Sequence, residues 1–465
     1  MEPVGAYQIL AQATPDRRIA FDGASRRSAL GALAHEISQR ESDILSALAV
    51  DLNKSESEAR LTELLPVLAE IRHVRKNLSR WMAPKRVRGG LLGFGLRARI
   101  RPEPKGVALI LAPWNYPFAL VMQPLVSALA AGCGVLVKPS EHAPATAQVI
   151  SQIIDAVFGP DLVACTTGGP EVAQAALRAP FNHIFFTGST RIGREVLRAA
   201  SDTMASVTLE LGGRSPAIIT SGADLRAAAR HIAWGKFMNA GQTCIAPDHV
   251  YVPRDLQARF LAHLRHEITS LYGEGDRLRT EFGRIVTPAQ FDRLRDLTLE
   301  AMEQGAELAH GGEGDAARLY FPPTVLTHVT DAMQIAQEEV FGPVLPLMCY
   351  DDPADLRARL AQVPTPLALY LFTGRQAEVV AFQDQVPAGA MVVNATMVHA
   401  SHPAVPFGGI GASGQGAAHG EYGFREFSHF KPVVENRFAP IRYLMPPYDG
   451  RTRRRIKRLM RHLRA

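Results

Sequence analysis

Cysteine is scarce in this chain: 465 residues hold only Cys133, Cys165, Cys244 and Cys349, with no CxxC pair and no metal-ligand spacing. That gives no sign of a thiolate metal centre and suits a reducing compartment better than a disulfide framework. The opening stretch, MEPVGAYQILAQATPDRR, lacks a basic segment followed by an apolar one, so no secretory signal is expected. Charge is missing altogether from Gly106 to Val137. That run is long enough to span a membrane. It is broken, however, by Pro113, Asn115, Pro117, Pro124 and the Gly132/Gly134 pair, and no interfacial anchors flank it. It reads instead as a strand, a loop, a buried helix and a second strand. Acidic residues are absent from 451 to 465, where eight Lys/Arg fall. With a net charge of +6 for the whole chain, residues 1 to 450 are left at about −2. The basicity therefore belongs to the tail, and the body gives no reason to expect nucleic acid.

What is present is ordinary globular composition, 47% apolar and 21% charged, in a chain long enough for two or three domains. Residues 25 to 52 carry Leu30, Leu33, Ile37, Ile44, Leu45 and Leu48 at helical spacing. A second helix is expected over Ser57 to Leu78, with Leu61, Leu64, Leu65, Leu68 and Ile71 on one side. The Gly/Arg-rich stretch KRVRGGLLGFGLRARIRPEP suggests a hairpin standing off this helical layer. From residue 106, short apolar runs alternate with helices: GVALILA, GVLVKPS, LVACTTG and HIFFTGS each precede one. Such alternation predicts βαβ units and a parallel sheet covered on both faces. A second series is expected to begin near Ser206 (SVTLELGG, then PAIIT), forming a second α/β domain with Cys244 near its start. Past Asn394 the chain turns glycine-rich (VPFGGIGASGQGAAHGEYGF) and enters a plausible edge strand, EFSHFKPVV. In the tail, Ile456, Leu459, Met460 and Leu463 fall at i, i+3, i+4 and i+7, an amphipathic helix ringed by arginines.

The chemistry collects around Cys244, set in WGKFMNAGQTCIAPD among turn-prone residues. Alone it is either a nucleophile or a small buried hydrophobe. Glu210, in LELGG at the end of a predicted strand, is either a functional carboxylate or a solvated strand-end charge. Asn115, in APWNYPF, could donate to a developing oxyanion or merely shape a turn. The GSTRIG segment, Gly188 to Gly193, opens a helix whose N–H groups could face a phosphate. In KPSE, Lys138 and Glu141 could reach ribose hydroxyls or form a surface ion pair.

APWNYPF, VLVKPSE, FFTGST, LELGGRSP, NAGQTCIAPD, EEVFGPVLP and PFGGIGASG occur in this order across residues 20 to 435. The set resembles the NAD(P)-dependent aldehyde dehydrogenases. GQTCIAPD, HGEYGFREFSHFKP and the late PPY are similar to the class 3 and coniferyl-aldehyde branch. The resemblance implies an α/β aldehyde dehydrogenase fold: a Rossmann-like cofactor domain (1–80 and 103–210), an α/β catalytic domain (211–402), a small β bridging or oligomerisation element (81–102 and 403–436) and a basic tail (437–465). By position, Cys244 matches the nucleophile, Glu210 the general base, and Asn115 the oxyanion donor shared with the Cys244 backbone N–H. Trp114, Lys138, Glu141, Gly188, Ser189, Gly193, Glu339 and Phe341 match the cofactor site. Among these, Lys138 and Glu141 match adenosine-ribose contacts, Glu339 the nicotinamide-ribose ligand, and Phe341 the residue packing near that ring.

The implied activity is oxidation of an aromatic or medium- to long-chain aldehyde to the acid with NAD(P)+, through a cysteine thiohemiacetal and thioester. A CoA-acylating relative is the enzymatic alternative, and Glu210 argues against it because its purpose is to activate water. A non-catalytic binding protein on the same fold is the other, and the complete set of site residues argues against that. NAD is the expected cofactor, with NADP as the alternative, since Glu141 would repel a 2′-phosphate. Four positions depart from the pattern: Arg214 follows ELGG where lysine is usual, alanines occupy 417 and 418, and Ala395 follows Asn394. The last two changes lie near the expected substrate mouth and leave the aldehyde open. A cytoplasmic homodimer is expected, with a peripheral contact to the inner face of a membrane through the basic tail, or packing of the tail on its own dimer.

Overall fold

Apolar runs too short for helices, bounded by glycine and proline, build two mainly parallel sheets, each with one antiparallel edge strand, and a smaller antiparallel one. The computed structural model describes residues 2–90, 92–438 and 440–464. Four helical segments between Pro3 and Leu52, then the helix Leu65–Met82, lead to β1 (Lys85–Val87) and β2 (Leu96–Pro104). There follow β3 (Val107–Leu111), β4 (Gly134–Lys138), β5 (Val163–Cys165), β6 (His183–Gly188) and β7 (Ser206–Leu211). The next series is β8 (Pro216–Ile219), β9 (His249–Pro253), β10 (Glu307–His310), β11 (Thr324–Thr327), β12 (Val344–Tyr350), β13 (Ala368–Phe372) and β14 (Ala390–Val393). Two late strands, β15 (Gly414–Gln415) and β16 (Ser428–Asn436), return to sheets already begun.

The six-stranded sheet has the order β15-β7-β6-β3-β4-β5 and the seven-stranded sheet β10-β11-β12-β9-β8-β13-β14. Every residue of β3 and β4 is buried, because helices cover both faces. The uncharged run behaves as its prolines dictated. Its helix, Ala119–Ala131, is apolar all round, tolerates Pro124 inside and ends at Gly132 with φ +90°. Among the described residues no helix is long and apolar enough to cross a membrane. The third sheet, β1-β2-β16, pairs β2 with β16 along their full length, from Ser428 opposite Pro104 to Asn436 opposite Leu96. The tail forms the helix Gly450–Arg464.

Two expectations need correction. The second strand series does not begin at Ser206: β7 pairs in parallel with β6, Thr187 opposite Glu210, and so belongs to the first sheet. The second sheet starts at Pro216, beyond the Gly212–Gly213 turn. Nor is Ser57 to Leu78 one regular helix. Arg60–Leu64 is a π-helical turn between Glu56–Ala59 and Leu65–Met82. Such a turn inserts a residue and shifts the helical phase. Leu64, Val67, Ile71, Val74 and Leu78 consequently make the buried stripe, while Leu61 and Leu65 are 48% and 56% exposed.

Candidate active site

Cys244 sits on a turn fixed by unusual backbone. The helix Leu225–Phe237 ends in a turn where Asn239, Ala240 and Gly241 have φ of +53°, +52° and +74°. Two consecutive non-glycine residues in the left-handed region are costly and persist only where surroundings impose them. Those surroundings are visible. Gln242 donates through Nε2 to Asn239 O (3.1 Å) and Arg284 O (2.9 Å), and its Oε1 accepts the Val286 N–H (3.0 Å). At position 241 a Cβ would stand 2.2 Å from Gly342 O, so only glycine fits. Beyond the cysteine, Asp248 Oδ1 accepts the Val340 N–H at 2.8 Å, tying this turn to the segment that carries Glu339.

Asn115 arrives from the loop after β3. Its Nδ2 donates one hydrogen to Gln242 O at 3.0 Å, which fixes the amide and leaves the second hydrogen for another acceptor. Its neighbour Tyr116 shares a hydrogen bond with Thr243 Oγ1 at 2.6 Å, beside the cysteine. The Asn115 carbonyl accepts from Asn239 Nδ2 (2.8 Å) and from Lys54 Nζ (3.0 Å).

On one side Cys244 lines a cavity of about 350 Å³. Its walls include Leu61, Leu65, Leu120, Met238, Met397 and Phe407, and its ionisable members are the Cys244 thiol itself, Tyr116 and His419. The imidazole of His419 stacks on Phe407 at 5.1 Å, and burial pushes it down to about 4, so it is neutral at ordinary pH. On its other side Cys244 faces carboxylates. Burial pushes the Cys244 thiol up to about 12, and the charges of Glu339 and then Glu210 add to that. The thiol is therefore held protonated, and proton removal has to accompany attack.

Glu210 is 5% exposed, and neither carboxylate oxygen accepts a hydrogen bond of ordinary geometry. Burial, and secondarily Glu426, raises it well above the carboxylate range, with the Ala418 amide opposing. A buried, unpartnered carboxylate is costly and signals a functional demand. Burial likewise pushes Glu339 up to about 8, with Asp248 adding to it. Glu339 lies over the glycine turn after Glu210, for a Cβ at Gly212 would be 2.3 Å from its Oε2.

All the remaining predicted residues but Phe341, which precedes β12, share the carboxyl edge of the six-stranded sheet, since β3, β4, β6 and β7 run parallel. Lys138 ends β4 and pairs with Glu141 Oε2 at 3.0 Å. With a side chain only 6% exposed, Lys138 is no surface ion-pair member. Ser189 caps the helix Thr190–Thr203, its Oγ accepting the Ile192 N–H, and Gly193 lets that helix close on β7: a Cβ there would be 2.8 Å from Leu211 Cδ2. Trp114 and Phe341 meet edge to face at 5.5 Å, and Phe341 carries φ +46°. A dinucleotide fits this donor set. It offers a helix N-terminus for the pyrophosphate, a cation and carboxylates for the ribose hydroxyls, and the close-approach glycine Gly212 beside Glu339.

The structure thus brings Cys244, Asn115, Glu210 and Glu339 to one centre and places Lys138, Glu141, Gly188, Ser189 and Gly193 along the neighbouring edge. Sequence reasoning missed Lys54, Glu58, Glu63 and Asn239. Glu58 Oε1 accepts the Asn239 N–H at 2.9 Å, and Lys54 pairs with Glu63 with neither side chain exposed. Asn239 lay inside the NAGQTC motif without a role of its own, and nothing in the local sequence marks Lys54, Glu58 or Glu63, because charged residues near helices are ordinarily solvated.

Comparison with known proteins agrees with this geometry. The model described as "Aldehyde dehydrogenase family" matches residues 10–433. The 4,4'-diaponeurosporen-aldehyde dehydrogenase of Staphylococcus aureus is 39% identical over 430 residues, 92% of each chain. The probable coniferyl aldehyde dehydrogenase of Pseudomonas aeruginosa is 37% identical, over 94% of this chain and 92% of that one. Among solved structures, the substrate-bound state of Staphylococcus aureus AldH superposes with a TM-score of 0.93 at 36% identity, covering 98% of this chain and 99% of the other.

Proposed function

The chain belongs to the aldehyde dehydrogenase family, an NAD(P)-dependent oxidoreductase that converts aldehydes to acids, and from that premise we propose how its residues divide the work. Cys244 is the nucleophile. Its sulfur attacks the aldehyde carbon, the thiol proton passes to solvent water, and the carbonyl oxygen becomes an oxyanion facing the free Asn115 N–H. Such a donor contributes roughly 3 to 4 kcal/mol of barrier lowering in comparable sites. Bound NAD(P)+ supplies the acceptor for the hydride that leaves the thiohemiacetal carbon. Glu210, a buried carboxyl whose pKa burial raises, in its ionised form then takes a proton from water as the thioester is hydrolysed. Lys138, Glu141, Gly188, Ser189 and Gly193 hold the adenosine and pyrophosphate end, and Trp114, Glu339 and Phe341 the nicotinamide end. The apolar cavity beside Cys244 favours an aromatic or medium- to long-chain aldehyde, and the relatives' names point to extended hydrophobic or aromatic aldehydes for those proteins.

We assign the cofactor to residues 1–80 and 103–210, catalysis to 211–402, and bridging to 81–102 and 403–436. The exposed β1-β2-β16 sheet, with Val87, Leu96 and Val434 on its surface, supports a homodimer joined there. The helix in 437–465 supports a peripheral contact of a cytoplasmic protein with an anionic membrane surface. The observation carrying the reading is the convergence of Cys244, Asn115 and Glu210 from three separate elements. Purified protein given a hydrophobic aldehyde and NAD+ should form reduced cofactor, and Cys244→Ala should abolish it. Full activity in that variant would sink the assignment.

A further inference from the structure

We propose that the buried Lys54–Glu63 ion pair is a positioning device for the oxyanion-binding loop, acting on Asn115 from behind. The inference rests on Asn115 as the oxyanion donor. Lys54 follows Asn53, a left-handed helix cap whose amide holds Thr280 O and Phe282 O at 2.9 Å each. From there the lysine points inward. Its Nζ donates to Glu63 Oε1 and to Asn115 O at 3.0 Å, and lies 4.0 Å from the centre of the Tyr116 ring. The second oxygen of Glu63 accepts the Ala119 N–H at 2.8 Å, at the start of the helix Ala119–Ala131. One ion pair thus grips three points of the 115–119 segment: a carbonyl, a ring face and a helix N-terminus. Tyr116 in turn bonds Thr243, next to the nucleophile.

Both side chains have no exposure, and a charge pair so deeply buried is rarely kept for stability alone. Shape could be filled by apolar side chains. What those cannot do is fix the carbonyl of Asn115 while leaving its amide aimed elsewhere. That carbonyl takes two donors, Lys54 and Asn239, which hold the peptide in one orientation, and Gln242 O holds the amide in another. Glu63 is delivered by the π-helical turn Arg60–Leu64, an irregularity found disproportionately at functional sites. The same turn gives Leu61 and Thr62 to the cavity wall, so the phase shift that bares Leu61 and Leu65 also turns Glu63 toward the oxyanion loop.

The test is a double-mutant cycle. Lys54→Met/Glu63→Gln removes both charges of the pair together and keeps a glutamine oxygen for the Ala119 N–H, while Glu58, whose carboxyl Lys54 also holds down, keeps the Asn239 N–H. Its kcat should fall about 10- to 100-fold with KM changed less than about threefold, the signature of a donor displaced by a fraction of an ångström. In an Asn115→Ala background the same pair of substitutions should cost less than about threefold, because the residue through which they act is gone. Equal losses in both backgrounds, or a kcat within about twofold of the parent, overturn the positioning role while leaving Asn115 in place. Asn115→Ala with unchanged kcat would remove the oxyanion reading itself, and the proposal with it.

Discussion

The two sides of Cys244 are built on opposite principles. Toward the cavity the walls are aliphatic and aromatic, and the one imidazole is held neutral. Toward the cofactor edge stand Glu210, buried, and Glu339, half-buried, both held up in pKa chiefly by desolvation. The first side can gain binding energy from apolar contact without asking for charge. The second holds carboxyl groups whose protonated form desolvation favours, so the site rather than solvent sets their proton exchange. The difference teaches that substrate selection and proton handling are separated in space, with the sulfur at their junction.

The sharpest way to break this comparison is to neutralise the carboxylate side alone. Glu210→Gln should cut steady-state turnover by about 100-fold or more, since general base catalysis is removed. A single burst of reduced cofactor per site should survive, because acylation precedes the step that needs the base. Stopped-flow absorbance of the reduced nicotinamide reads both, and loss of the burst along with turnover would place Glu210 in the first step instead.

The next effect is the pH dependence of the same group. A carboxyl whose pKa is raised is protonated at low pH and gains its basic form as pH rises. The kcat of the parent should therefore climb with pH, about tenfold per unit below that pKa. His399 and His419, pushed down to about 4 by burial, should contribute no limb above pH 5. A rising limb that persists unchanged in Glu210→Gln would transfer the titration to another group.

The cavity side gives the smallest change. Leu61→Ser with Leu65→Ser should raise KM for a long apolar aldehyde about tenfold and leave that for a two-carbon aldehyde nearly unaltered. Both leucines are half exposed, so thermal unfolding should hardly move. Equal effects on the two aldehydes would mean that this wall does not touch the substrate chain.

Much of this was legible in the amino-acid sequence. GQTC, ELGG, PWN and KPSE each stand at a strand end or turn whose local pattern was readable, and their order pointed to one family. The strand–helix alternation was equally plain, because burial on both faces of a parallel sheet leaves unbroken apolar runs. The helix over Ser57 to Leu78 was misjudged at Leu61 and Leu65. Periodicity assumes a regular turn, and the Arg60–Leu64 segment is a π turn that shifts the phase. Lys54 and Glu63 gave no signal at all, since a lysine and a glutamate nine residues apart are commonplace until a third element, the Asn115 loop, closes over them.

The sequence by itself determined which chemical groups are available: one thiol among turn-prone residues, carboxyls at strand ends, an amide on a loop. Tertiary structure alone decided their state. A thiol pushed up to about 12 and a glutamate without a hydrogen-bond partner owe those properties to desolvation by segments hundreds of residues apart in the chain. Desolvation depends on what surrounds a group in space, and no local pattern of residues encodes that.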